Sequence, residues 1–386
     1  MDSFGVGLRE HFLLDERLVF LNHGSFGACP KEVLAAQNVW RTRLERDPIS
    51  FMMRVLPVAI RAQAEGLGAL LGARGQDLVF VENATTGVNA ILRGMVFEPG
   101  DEVLTFDHLY TAVDNTLDFL AKRIGFRLVR AKFTLPLTNP DEIVAAVAAQ
   151  ITDRTRIAVL DHITSFSGIV MPMEKIVAAC HAKGVPVLVD GAHAPGMLDL
   201  NIEQIGADYY VGNCHKWLWA PKGCAFLHVQ PKHQDNTHPP SISNYEKQGF
   251  PTNFDWTGTK DPSAWLSTGA GLAFHRKLGG RAVAEYNHAL VVWALKMLSE
   301  ALGWMLIAPT EMIGSIGTLR IPNTDGATAA AAAALHDYLV DVHDIEVLVH
   351  AHDAIYLRIS AQAYNERDDY EKLLVALRVA QKEGLC

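Results

Sequence analysis

Between about residue 60 and residue 230, short apolar runs alternate with stretches of helical spacing, and that alternation leaves the chain few folds to adopt. Strands are expected at LVFVE (78–82), EVLTF (102–106), RLVRA (127–131), RIAVLDH (156–162), VPVLVD (185–190) and YYVGN (209–213). Between most of them lies a helical pattern such as PMEKIVAACHAKG (172–184). Strand and helix in turn argue for an α/β fold with a mostly parallel sheet covered on both faces. A seventh run, CAFLHV (224–229), follows HKWLWAPKG without room for a crossover helix. It is expected to return antiparallel, because a parallel connection needs a dozen or more residues.

After about residue 265 the pattern changes to long helices with strands at LRI (319–321), EVLVH (346–350) and AIYLRIS (354–360). The Ala-rich stretch Ala327–Ala334 runs into LHDYLVDV at helical spacing and reads as a helix. The expected division is an N-terminal arm over 1–20, a large domain over 21–265 and a smaller α+β C-terminal domain over 266–386. A chain of 386 residues is long enough for that.

The formal net charge is −9 and the basic residues are scattered, which argues against a nucleic-acid partner, since phosphate binding needs a concentrated basic patch. Five widely spaced cysteines without a CxxC pair suggest neither a zinc site nor a disulfide framework. The N-terminus mixes charges into its apolar residues, unlike a signal peptide. No stretch approaches the ~18 apolar residues of a membrane span. A soluble cytoplasmic protein without a membrane partner is expected.

Ligands in open α/β sheets bind outside the carboxyl ends of the strands, so polar residues at those ends come first. Asp190 closes VPVLVD. It reads plainly as a helix cap, or functionally as the partner of a protonated pyridine nitrogen, the ion pair that keeps pyridoxal phosphate an electron sink. Lys216 in GNCHKWLWAPKG is either a snorkelling surface lysine or a desolvated amine able to form a Schiff base. In ENATTGVN (82–89), Thr85, Thr86 and Gly87 fall where a helix begins. Its free N–H groups suit a phosphate, although a Thr there is commonly just an N-cap. In DHLYTAV (107–113), His108 or Tyr110 can lie flat against an aromatic cofactor, or serve no such role.

Other chemistries find less support. No GxSxG elbow appears, and Ser165 has no evident triad partner. HExxH is absent, and the DxxH of Asp190 and His193 is too little to hold a metal. A GxGxxG dinucleotide turn is also missing.

At this point the residues resemble a known family. The motifs are LNHGSFGACP (21–30), ENATTGVN, DHLYTAV, HITSFSG (162–168), DGAHAPG (190–196), GNCHKWLWAPKG (212–223), WTGTKDPSA (256–264) and LRISAQAYN (357–365). Together they resemble fold-type I pyridoxal-phosphate enzymes of the class V aminotransferase group, close to isopenicillin N epimerase-like proteins. The resemblance implies that Lys216 carries the cofactor and shuttles the Cα proton. Asp190 would pair with the pyridine nitrogen, His193 would lie near the phenolic oxygen, and His108 would stack on the ring, with Tyr110 as the alternative. Thr85, Thr86, Asn213 and His215 would hold the phosphate. Gly258 and Thr259 would reach the phosphate of a neighbouring copy, which implies a homodimer with its sites at the interface. Arg358 would clamp the α-carboxylate of an amino-acid substrate, with Asn22, His23 and Arg54 as further pocket residues.

One departure narrows the activity. Cysteine desulfurases of this group carry a cysteine on a loop shortly before the arginine, whereas VLVHAHDAIYLRIS is short and has none. The resemblance implies an amino-acid epimerase first. Its alternatives are a C–S (β-elimination) lyase of the hercynylcysteine sulfoxide lyase or cysteine lyase type, and a class V aminotransferase.

Overall fold

A computed structural model describes residues 4–386. Its central feature is a seven-stranded sheet. The strands are β1 (Leu78–Val81), β2 (Glu102–Phe106), β3 (Arg127–Ala131), β4 (Thr155–Asp161), β5 (Val187–Asp190), β6 (Tyr209–Asn213) and β7 (Ala225–Val229). Their spatial order is β1-β7-β6-β5-β4-β2-β3. The pairs β3–β2, β2–β4, β4–β5 and β5–β6 are parallel, while β7 is antiparallel to both β6 and β1. The short connection after β6 thus forces the one reversal. Every predicted strand of this sheet is present within about two residues, the usual uncertainty of strand ends.

Strands buried on both faces read as continuous apolar runs, and these do. Leu104, Leu160, Val189 and Phe226 enter the core on one face, while Val103, Val159, Leu188 and Leu227 enter the core on the other. Each such side chain contributes about 1.5–3 kcal/mol when fully buried. The helix α1 (Ala84–Gly94) lies against the second face; a Cβ on its Gly87 would come within 2.7 Å of Val211, so the helix can sit this close only with glycine there.

The C-terminal region builds a second sheet from β8 (Met305–Leu306), β9 (Ile316–Arg320), β10 (Leu348–Ala351) and β11 (Ile355–Ser360), in the order β10-β11-β9-β8 with antiparallel pairing throughout. Helices Arg281–Leu302, Ala329–His343 and Arg367–Lys382 cover it, packing Leu295, Leu335, Leu339, Leu373 and Leu377 onto Leu319 and Leu357. The single strand expected at 346–350 is split. Ile345–Glu346 pairs in parallel with Val19–Phe20, and only from Leu348 does the chain join β11. A partner from the other end of the sequence sets that break, which local spacing cannot show.

The expected 1–20 arm begins in residues outside those described, and the rest of it is packed. Leu8 and Phe12 are buried against Trp219, Phe274 and Tyr364. Among the described residues no helix is long and apolar enough to cross a membrane.

Candidate active site

The carboxyl ends of β1, β4, β5 and β6 open into a cavity of about 540 Å³, within the range of small-molecule sites. Glu82, Asn83, Ala84, Thr85 and Thr86 line it from the start of α1, joined by Asp161, Asp190, Asn213 and Lys216 from the sheet. The alternation of strand and helix concentrates these groups, because every parallel strand ends on the same side of the sheet.

Lys216 follows β6 on a turn held by the main chain. The N–H groups of Cys214 and His215 both donate to the Cys224 carbonyl. Trp217 and Trp219 are fully buried on either side, and Trp219 takes a left-handed conformation (φ 65) that a bulky residue keeps only when its surroundings impose it. The loop at 23–28 closes on this turn. Gly27 has φ 72, and a Cβ there would lie 2.5 Å from the His215 carbonyl. The Lys216 amine keeps some surface toward the cavity, yet burial and then the Arg358 charge lower its pKa to about 7, against the pull of Asp190 and Asp161. Its Nζ lies 3.3 Å from Nε2 of His193, whose pKa burial pushes well down.

Asp190 sits at the end of β5 and is 3% exposed. Its Oδ1 accepts from the Ala192 N–H at 3.0 Å, and its Oδ2 is buried without a partner. Burial raises its pKa to about 6. Asp161 ends the adjacent β4 in direct register with Asp190 and also lines the cavity.

The predicted phosphate turn is an N-capped helix start. The Asn83 side chain accepts from the Thr86 N–H, and the Asn213 side-chain oxygen accepts from the Ala84 N–H at 3.0 Å. Asn213 therefore fastens β6 to this turn. His215 donates from Nδ1–H to the Cys224 carbonyl, 2.8 Å away, and lines the cavity; burial lowers its pKa to about 4.

The aromatic segment resolves differently for its two candidates. Tyr110 lines the cavity, whereas the His108 ring packs against Phe133, Phe166 and His352, away from the lining. The Tyr110 main-chain N–H donates to Asp161 at 3.1 Å, which holds this segment against the end of β4.

The remaining candidates stand behind or outside the lining. Arg358 is 3% exposed and donates to the Ser165 carbonyl, to Asn22 Oδ1 at 3.1 Å and to Ser25 Oγ at 3.0 Å. Ser25 and Ser165 themselves line the cavity. Asn22 also donates to Glu346, so it ties the Arg358 wall to the short parallel pair of Val19–Phe20 and Ile345–Glu346. His23 is buried between the Tyr364 hydroxyl (2.8 Å) and the Lys216 carbonyl (3.1 Å), and supports the lysine turn from behind. Arg54 is exposed in a one-turn π-helix, Phe51–Val55, outside the cavity lining. Gly258 and Thr259 are also outside it, on a loop anchored where Lys260 donates to Glu82 at 2.8 Å.

Sequence reading passed over Asp161. The signal was the same as for Asp190, an acidic residue at the end of an apolar strand.

An isopenicillin N epimerase of Streptomyces clavuligerus is 31% identical to this chain, with 96% of each chain covered. A putative L-cysteine desulfhydrase of Oryza sativa subsp. japonica is also 31% identical, covering 94% of this chain and 83% of the relative. Among solved structures, a cystine C–S lyase, C-DES, superposes with a TM-score of 0.80 at 21% identity, covering 94% of this chain and 97% of that one. Residues 50–373 match the family model described as aminotransferase class-V. With that match and relatives aligned over nearly its full length, this chain belongs to the class-V aminotransferase family.

Proposed function

We propose that this protein is a pyridoxal-phosphate enzyme that removes the Cα proton of an amino acid with Lys216, and that its reaction is epimerisation. The observation that carries the cofactor reading is the Asp190 Oδ2 atom. It is a buried carboxylate oxygen without a partner, in the same cavity as a buried lysine amine. A buried anion of this kind needs a cation or donors, and a protonated ring nitrogen is both. The start of α1, where Thr85 and Thr86 line the same cavity with His215, suits a phosphate. When bound there, pyridoxal phosphate supplies the electron sink that acidifies the Cα–H.

The chain's own groups do the rest. Lys216 is neutral above about pH 7, so it can attach a carbonyl and then accept a proton. His193 lies within hydrogen-bond reach of its Nζ and restricts where it points. A substrate carboxylate entering between Ser25 and Ser165 meets the Arg358 guanidinium behind them. Gly258 and Thr259, outside this chain's own lining, are assigned to the phosphate site of a second copy. Phe26, Ile49, Met53 and Val58, exposed in the single chain, supply apolar surface for such an interface.

Epimerisation needs an acid on the face opposite Lys216, and the Tyr110 hydroxyl is the group assigned to it. β-Elimination from a sulfur-bearing amino acid is the second reading, favoured because Lys216 and Arg358 suffice for it without Tyr110. Incubation with amino acids in D2O, followed by NMR, tests both. Deuterium at Cα with inverted configuration supports epimerisation; pyruvate and ammonia replace it with the lyase. A purified protein without a yellow, borohydride-reducible chromophore removes the cofactor reading altogether.

A further inference from the structure

Two buried carboxyl groups stand side by side at the cavity floor. Asp161 and Asp190 are register partners on parallel strands, so both side chains leave the same face of the sheet. They are 2% and 3% exposed. Each accepts one main-chain hydrogen bond, Asp161 from Tyr110 and Asp190 from Ala192. Each has a second oxygen that is buried without a partner, Asp161 Oδ1 and Asp190 Oδ2.

Two buried carboxylates on neighbouring register positions cannot both ionise without a large cost. Lys216 faces both groups, and the Tyr210 hydroxyl, 2.8 Å from His162, faces Asp190. His193 lies 3.3 Å from Lys216 Nζ, and the Arg358 charge also acts on that amine. One amine with its pKa lowered to about 7 cannot neutralise two anions.

We propose that Asp161 and Asp190 form a one-proton pair in which Asp190 carries the charge toward a ring nitrogen. Asp161 stays a neutral acid that positions the cavity wall. This rests on the cofactor reading above and adds a residue to it. The division of labour follows from what each group holds. Asp161 accepts from the Tyr110 N–H and faces the Ser165 main chain, whose carbonyl in turn takes the Arg358 guanidinium. One carboxyl thus links the aromatic wall and the arginine wall to the strand beside Asp190. Burial and the neighbouring Asp190 charge both push the Asp161 carboxyl up, toward its neutral form.

The test compares Asp161→Asn, Asp161→Ala and Asp190→Asn in the cofactor-free protein. Pyridoxal phosphate is titrated in by tryptophan fluorescence between about pH 5 and pH 8. Asp161→Ala is expected to weaken binding about tenfold or more, since the Tyr110 segment loses its acceptor beside Asp190. Asp161→Asn, isosteric with the neutral acid, is expected to restore affinity to within about threefold and to leave the acid-side midpoint in place. Affinity for Asp161→Asn as low as for Asp161→Ala, or a midpoint about one pH unit lower, would show that Asp161 carries charge and overturn the pair. Thermal unfolding of the same cofactor-free variants at pH 7 decides the matter even if wild type binds no pyridoxal phosphate. The pair requires Asp190→Asn to raise stability and Asp161→Asn to leave it near wild type. Equal stabilisation by both variants would overturn the proposal independently of the cofactor.

Discussion

Lys216 Nζ stands 3.3 Å from Nε2 of His193, and the two residues follow the ends of β6 and β5, neighbouring parallel strands of the main sheet. The contact joins the amine assigned to chemistry with an imidazole that burial keeps neutral.

Lys216→Ala is expected to lower turnover by at least about 10³-fold, since it removes both the attachment point and the base. Borohydride treatment followed by peptide mass analysis should label Lys216 in wild type and nothing in the variant. Retained turnover would exclude the amine from the reaction.

Reconstitution should depend on pH through two groups. Attachment requires a neutral Lys216, so its rate should rise as pH increases through about 7. It also requires an ionised Asp190, so affinity should fall as pH decreases through about 6. Stopped-flow absorbance of pyridoxal phosphate mixed with cofactor-free protein measures both limbs.

Asp190→Asn should stabilise the cofactor-free protein near neutral pH while weakening the cofactor. Burial raises the folded-state pKa of Asp190 from its ordinary 3.8 to about 6. The protonated form is therefore favoured by folding, and this contribution is lost as pH rises from about 4 through about 6. Removing the charge should restore about 2–3 kcal/mol at pH 7 and nothing below about pH 4. Thermal unfolding of both proteins across that range gives the comparison.

Arg358→Lys should raise KM for substrates with a free α-carboxylate by about 10–100-fold, because an ammonium cannot reproduce a fork that holds Ser165, Asn22 and Ser25 at once. Amino-acid amides, lacking that carboxylate, should lose less. Equal losses on acid and amide would reassign Arg358 to holding the wall alone.

Tyr110→Phe separates the two readings of the reaction. If Tyr110 protonates the face opposite Lys216, inversion should fall about 10²-fold while Cα deuterium exchange with retention continues. Inversion at the wild-type rate would assign the second acid elsewhere.

Much of the fold was legible because its determinants are local. Apolar runs bounded by turns mark the strands of the main sheet, and the short link after YYVGN dictates the one antiparallel return. The split between Ile345–Glu346 and Leu348–Ala351 was not legible, since Val19–Phe20 supplies the partner from the far end of the chain.

The site divides in the same way. Strand-end position singled out Asp190 and Lys216, and the structure brings both to one cavity with Thr85, Thr86 and Asn213. Position along the chain does not say which way a loop side chain turns. DHLYTAV offered His108 first and Tyr110 as the alternative; Tyr110 lines the cavity, while the His108 ring sits among Phe133, Phe166 and His352. Arg358 lies on a strand whose spacing is plain, yet only packing places it behind Ser25 and Ser165. Sequence by itself determined the layered α/β fold and the edge on which polar groups gather, because strand and helix periodicity are short-range. Tertiary structure decided which of those groups face one another, since burial, register and the pairing of distant segments set the charge each one keeps.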